Sequence, residues 1–134
     1  MKKRRYVFDS YALLAFFQGE AGGSQVKALL DLAFKGEVSI HLSYISLGEV
    51  FYIVDRKFGE KKAREIVQDV QRFPMKLESP DLGRVLEAAG IKAKFPVAYA
   101  DAFAAALANE LGAVLVTGDP EFKKLEKHIE ILWL

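Results

Sequence analysis

Four carboxylates in this chain stand where ordinary structural duties explain them poorly: Asp9, Glu49, Asp101 and Asp119. Asp9 ends a short apolar run, Tyr6-Val7-Phe8, and a helical pattern (Tyr11, Leu14, Ala15, Phe17) follows at once. Asp119 follows a second apolar run, Ala113-Val114-Leu115-Val116-Thr117, inside the turn Gly118-Asp119-Pro120. Alone, each has a plain explanation: Asp is a preferred helix N-cap, and Asp-Pro after Gly is a good turn former. Glu49 and Asp101 fall inside helical patterns. The residues three and four positions from Glu49 are Ile45, Ser46, Tyr52 and Ile53; around Asp101 they are Val97, Ala98, Ala104 and Ala105. No cation stands among them. Asp31 is the control, because Lys27 and Lys35 flank it at four residues, the spacing of an exposed helical ion pair.

A carboxylate on an apolar helical surface is costly to bury unless it is paired or holds a metal. For Glu49, a salt bridge to a distant Lys or Arg is an equal alternative, since buried charges are usually paired. Taken jointly, the four read as a site. In an open α/β sheet, groups at the carboxyl ends of strands face the crevice where ligands bind, with Asp101 the expected direct partner of Asp9. Carboxylates without His or Cys suit a hard cation, Mg²⁺ or Mn²⁺, and such an ion serves phosphoryl chemistry by activating water and neutralising phosphate charge. Ser10 and Thr117 are placed to hydrogen-bond the ligating carboxylates; local capping is the rival role for both. The two histidines, His41 and His128, lie far apart and the chain has no Cys, which argues against a zinc site and fits a reducing, cytoplasmic setting.

The elements that must position these groups alternate. Strands are expected at Tyr6–Ser10, Val38–Leu42, Pro74–Glu78, Ala113–Thr117 and Ile129–Leu134. Between them fall helices: one opening at Ser10, one capped by Ser24 with Val26, Leu29, Leu30, Ala33 and Phe34 inward, and Tyr44–Phe58 capped by Ser43. Glu60–Phe73 follows, with Ala63, Ile66, Val67 and Val70 inward. A further helix is capped by Ser79 with Pro80 at its first position and Leu82, Val85, Leu86 and Ala89 inward. After the basic connector Lys92–Pro96 comes an alanine-rich helix from Val97 to Leu111, and Phe122 and Leu125 lie on a short last helix. Such alternation argues for a mostly parallel sheet of four to five strands with helices on both faces, a three-layer α/β/α fold. At 134 residues the chain is one domain, 1–134. The Lys2-Lys3-Arg4-Arg5 cluster is not read as a signal peptide, because Asp9 and Ser10 interrupt the apolar run behind it. No apolar stretch approaches the ~20 residues of a membrane span. The formal net charge of +1 advertises no polyanion partner, so a nucleic-acid surface must come from local basic clusters.

Four pieces in this order carry a family likeness: Val7-Phe8-Asp9-Ser10, Ser46-Leu47-Gly48-Glu49-Val50, Tyr99-Ala100-Asp101-Ala102-Phe103, and Val116-Thr117-Gly118-Asp119 with Phe122. Together the chain resembles the PIN-domain nucleases, and within them the small VapC-type toxins of toxin–antitoxin pairs. The resemblance implies a metal-dependent endoribonuclease with Asp9, Glu49, Asp101 and Asp119 as metal-binding and catalytic acids, supported by Ser10 and Thr117. It also implies Mg²⁺ or Mn²⁺, an RNA substrate, usually a homodimer, and a cognate antitoxin that blocks the site, with the helices at 44–58 and 60–73 as docking surfaces. Arg4, Arg5, Lys92, Lys94, Lys123 and Lys124 are the basic residues available to an RNA backbone. Gly48 departs mildly from the family, where Ala is common. Alternatives are a PIN-like domain that binds RNA or assembles complexes without cutting, and a receiver-like signalling domain, which wants an adjacent acidic pair that Phe8-Asp9-Ser10 lacks. With no His placed as a base, water rather than the RNA 2′-hydroxyl is the expected nucleophile.

Overall fold

The computed structural model describes residues 3–134; Lys2, the first member of the basic cluster, lies outside them. Five strands form one sheet: β1 (Arg4–Phe8), β2 (Val38–Ser43), β3 (Lys76–Glu78), β4 (Val114–Thr117) and β5 (Ile131–Trp133), in the order β3-β2-β1-β4-β5. Every pairing is parallel, with Phe8 opposite Leu42 on one side and Val116 on the other. The period of two in each strand splits the sheet into two faces. Phe8, Leu42 and Val116 point to one core with α1 (Ser10–Phe17), α2 (Gly23–Phe34), α3 (Tyr44–Phe58) and α4 (Glu60–Arg72). Val7 and Leu115 point to the other, with α5 (Leu82–Lys94), α6 (Tyr99–Leu111) and the 3₁₀ helix Pro120–Leu125. The three-layer α/β/α expectation holds.

The reason α6 is alanine-rich is its burial, which is continuous from Asp101 to Ala108. A helix enclosed all round by α5 and the sheet needs small side chains for close approach, and Ala costs no helix propensity. Gly112, in the left-handed conformation (φ 58°), ends it as expected. Among the described residues, no helix is long and apolar enough to cross a membrane.

Several local expectations are corrected. Ser24 does not cap α2; Gly22 (φ 91°) holds that position without a side-chain bond. The next residue, Gly23, lies against α1, where a Cβ would sit 2.7 Å from the Ala15 carbonyl oxygen. Close packing of the two helices therefore fixes the start of α2. Asp81, not Ser79, caps α5, its carboxylate accepting from Arg84 N at 3.0 Å, so Pro80 precedes the helix. Lys92 and Lys94 belong to α5 rather than to a connector. Phe34, Leu82 and Leu86, expected inward, are exposed, and Tyr11 stands at the surface beside buried Ala12 and Leu13. Ser43 caps α3 as expected, accepting from Ile45 N at 3.1 Å.

Candidate active site

The site forms where the carboxyl ends of β1, β2 and β4 meet the amino ends of α1, α3, α6 and the 3₁₀ helix. One residue, Asp9, separates α1 from β1 and α3 follows β2 directly, while Asp119 caps the 3₁₀ helix and Asp101 lies in the first turn of α6, so carboxylates accompany the positive ends of α1, α6 and the 3₁₀ helix. Asp9 is 2 % exposed. One oxygen, Oδ1, accepts from Ala12 N at 2.9 Å and caps α1; the other, Oδ2, accepts from Thr117 Oγ1 at 2.5 Å. The choice between cap and site is therefore no choice, because a carboxylate offers about four lone-pair positions and these bonds leave two free. Thr117 Oγ1 in turn accepts from Asp119 N at 3.0 Å, tying the ends of β1 and β4 together. Asp119 caps the 3₁₀ helix through Glu121 N at 2.9 Å. Ser10 Oγ donates to Glu49 Oε1 at 2.5 Å. Both hydroxyls thus donate to candidate site carboxylates.

None of the four acids takes part in a salt bridge among the described residues, whereas Asp31 pairs with Lys27 at 2.9 Å. Among the described residues no distant Lys or Arg pairs with Glu49; its side-chain hydrogen-bond partners are Ser10 and Tyr52. Burial without neutralisation shows in the acid strengths. Burial pushes Asp9 up to about 7, against the pull of the Thr117 and Ala12 hydrogen bonds and with the charges of Asp119 and Glu49 adding to the rise. Asp101 rises to about 8 through burial, then the charges of Asp119, Glu121 and Glu49, with a hydrogen bond to Glu121. Asp9 and Asp101 share two charged neighbours, Asp119 and Glu49, whose charges raise both.

Glu121 escaped the sequence reading. Carboxylate oxygens of Asp101, Asp119 and Glu121 lie within 4.8 Å of one another. Glu121 Oε1 also accepts from Ala98 N at 2.6 Å, capping α6, whose own N-cap residue supplies no side-chain bond. Two residues after Asp119 it passed for a solvated position on a short helix; only its contact with a residue 23 positions earlier reveals it. Unpaired carboxylates with free lone pairs, no thiol and no imidazole among them fit a hard divalent cation.

The basic residues divide. Lys123 and Lys124 lie two and three residues after Glu121, and Lys92 reaches Val97 O at 2.9 Å, just ahead of α6. Lys94 lines a cleft with Phe95, Asn109 and His128. Arg4 and Arg5 begin β1, a strand of five residues that ends before Asp9, so about 16 Å separates them from the site. Arg4 is held there by Glu130 at 2.5 Å, and Arg5 by Leu111 O at 3.0 Å.

A parallel α/β/α sheet with carboxylates gathered at the ends of its central strands defines a class of acidic-site α/β proteins. Within that class the chain belongs to the PIN-domain family, whose model it matches over residues 6–128. VapBC of Salmonella typhimurium, solved bound to DNA, is similar with a TM-score of 0.75 and 18% identity over 96% of this chain and 97% of that one. The sarcin–ricin-loop-cleaving toxin VapC20 of Mycobacterium tuberculosis gives 0.70 and 16% over 88% and 92%. The protein PAE2754 of Pyrobaculum aerophilum gives 0.63 and 22% over 98% and 91%. No curated protein sequence matches the chain.

Proposed function

We propose that this chain is a divalent-metal-dependent endoribonuclease, a VapC-like toxin that hydrolyses RNA phosphodiester bonds and is restrained by a cognate antitoxin. The observation that carries this reading is an acid set without counter-cations among the described residues, two of whose members, Asp9 and Asp101, are buried and raised to about 7 and about 8. So much unneutralised charge is a poor investment in stability and a good one in cation binding. Asp9, Asp101, Asp119 and Glu121 would hold Mg²⁺ or Mn²⁺, with Glu49 completing the ring. Such an ion, when bound, lowers the pKa of water and neutralises developing phosphate charge. The chain's own part is orientation: Thr117 fixes Asp9 from β4, and Ser10 fixes Glu49 from α1. Among the structural neighbours, one cleaves the sarcin–ricin loop and several are toxin–antitoxin complexes, which supports RNA as substrate and an antitoxin as partner. A homodimer working in the cytoplasm belongs to the same proposal.

The test is incubation with total RNA, with and without Mn²⁺, mapping cut sites and end chemistry beside an Asp9→Asn control. Mn²⁺-dependent cuts absent from the control support the reading. Products ending in a 2′,3′-cyclic phosphate would overturn the water mechanism, and no cleavage at all would leave a PIN domain that binds without cutting.

A further inference from the structure

Phe95, Pro96, Val97 and Ala98 join α5 to α6 without regular structure, and α6 carries Asp101 one turn beyond Ala98. No helix or sheet ladder supplies partners for the polar backbone groups of this connector, so each must find one elsewhere. Local bonds meet its two ends: Phe95 N donates to Ile91 O at 2.9 Å, Val97 N to Phe95 O at 2.9 Å, and Ala98 O accepts from Ala102 N at 3.0 Å. Pro96 has no N–H to place. The groups left, Pro96 O, Val97 O and Ala98 N, are met by charged side chains from outside the connector. Lys124 Nζ donates to Pro96 O at 3.0 Å, Lys92 Nζ donates to Val97 O at 2.9 Å, and Ala98 N donates to Glu121 Oε1 at 2.6 Å.

Glu121 and Lys124 both belong to the 3₁₀ helix that Asp119 caps, and Lys92 lies in the last turn of α5. The 3₁₀ helix and the start of α6 are thereby pinned to one another through the connector, with Asp119 on one side and Asp101 on the other. The grouping of Asp101, Asp119 and Glu121 within 4.8 Å spans this junction. Lys94 and Lys123 are close by in sequence, yet neither ammonium group has a hydrogen-bond or ion-pair partner among the described residues. We propose that Lys92 and Lys124 are positioning residues for the metal site and not contacts to the RNA backbone: with Glu121 they clamp the connector and so hold Asp101 in register with Asp119. The proposal rests on the metal-dependent reading of the acid set. Groups that hold metal ligands in place are commonly worth 10- to 100-fold in metal affinity, and clamps acting through the backbone belong at about the lower end. Charge alone predicts the opposite sign, because removing a cation near an acidic site strengthens that site's attraction for Mn²⁺. The sign of the change therefore separates the two roles.

The test is calorimetric titration with Mn²⁺, without RNA, of wild type, Lys92→Met, Lys124→Met, the double variant and Lys124→Arg. Lys94→Met and Lys123→Met are controls that lose the same charge; Met keeps a long unbranched stem and removes the donor. Amide exchange read by mass spectrometry follows residues 96–103, and RNA cleavage in saturating Mn²⁺ gives kcat, KM and their salt dependence. The expected result is Mn²⁺ affinity lowered about 10-fold in the double variant, less in each single one, retained by Lys124→Arg and not lowered in either control. Exchange over 96–103 quickens in the double variant, while KM for RNA and its salt slope stay as in wild type. A double variant that binds Mn²⁺ as tightly as wild type, or more tightly, would overturn the proposal. So would a raised KM with a salt slope shallower by about 1, the mark of a lysine that touches phosphate. Should the double variant fail to fold, Lys124→Met decides, since that bond lies at the surface. If wild type binds Mn²⁺ but cuts no RNA, the nuclease reading fails and the affinities still judge the clamp. If wild type binds no Mn²⁺, both fall.

Discussion

Two buried carboxylates sit near the carboxyl edge of the same sheet and have opposite acid strengths. Glu78, at the end of β3, and Asp101, in the first turn of α6, are both 6 % exposed. Burial raises both. At Glu78, hydrogen bonds from His41 Nδ1 at 2.7 Å and Arg84 Nη2 at 3.1 Å, with the charges of Lys76 and Arg84, outweigh burial and hold it below the usual range. Arg84 also donates to both oxygens of Glu110 at 3.0 Å and to Ser79 O at 2.9 Å, so the network is closed on itself. At Asp101 the neighbours are more carboxylates, and it rises to about 8. Burial alone therefore marks neither structure nor function. What separates the two regions is whether the fold supplies the countercharge or leaves it to a ligand.

The sharpest way to break the comparison is Asp101→Asn. It removes a proposed metal ligand, and cleavage in Mn²⁺ should fall by about 10³-fold or more, the loss of several kcal/mol of charge stabilisation at the transition state. It also removes a repelled charge, so the metal-free protein should melt at the same temperature or several °C higher. Thermal melts without metal check this. A clearly lower melting point would make Asp101 a structural residue like Glu78.

The pH dependence follows next in size and should run in opposite directions in the two regions. Asp9 and Asp101 titrate near 7 and 8 in the fold but near 4 in the unfolded chain. Between those values the native state holds more protons, so metal-free stability falls as pH rises from about 4 to about 8. Mn²⁺ displaces those protons, so its affinity should climb over the same window. Glu78, depressed in the fold, contributes stability that is present above its unfolded pKa and lost as pH falls below about 4. Melting curves across pH 4 to 9, with and without Mn²⁺, should show the metal's stabilisation growing with pH. A flat metal-free profile between 4 and 8 would refute the raised acid strengths.

Much of this contrast was legible in the sequence, and the missing part has one cause. The strands, the helices and the isolation of Glu49 and Asp101 are local properties, visible in periodicity and in neighbours at three and four residues. The network around Glu78 is not local: His41 lies 37 residues away, and Arg84 meets Glu110 across 26. Glu121 is hidden for the same reason, since its partner is Ala98. The helix-cap errors are subtler. Ser79 and Ser24 are good caps by type, but Asp81 beside Arg84 and the packing of Gly23 on Ala15 outweigh type preference. Exposed Leu82 and Leu86 satisfy the helical period of α5 yet lie on the wrong side of it.

A smaller perturbation comes from Arg84→Leu. It leaves Glu78 buried with His41 alone and Glu110 without a partner. Breaking a buried pair by removing one side costs about 3–5 kcal/mol. Arg84 keeps a side-chain exposure of 21% and His41 remains, so about 2 kcal/mol is expected, or roughly 8 °C in melting temperature. Cleavage per folded molecule should stay within about twofold, since the network touches none of the site carboxylates. Chemical denaturation and Mn²⁺-dependent cleavage read the two effects separately. A loss of cleavage without loss of stability would join the two regions that the comparison holds apart.

The smallest effect separates helix from site at one position. Gly48 precedes Glu49 on an exposed face of α3, its φ is not in the left-handed region, and a Cβ there would meet nothing within 4 Å. Glycine inside a helix costs up to about 1 kcal/mol relative to alanine through backbone entropy. Gly48→Ala should therefore raise stability by about that amount, seen as a melting point roughly 4 °C higher. Glu49 is held from outside α3, by Ser10 on α1, so its position does not depend on how freely the backbone at 48 moves. Cleavage should be unchanged. A stabilised variant that cuts more slowly would instead mean that Glu49 needs a yielding helix beneath it.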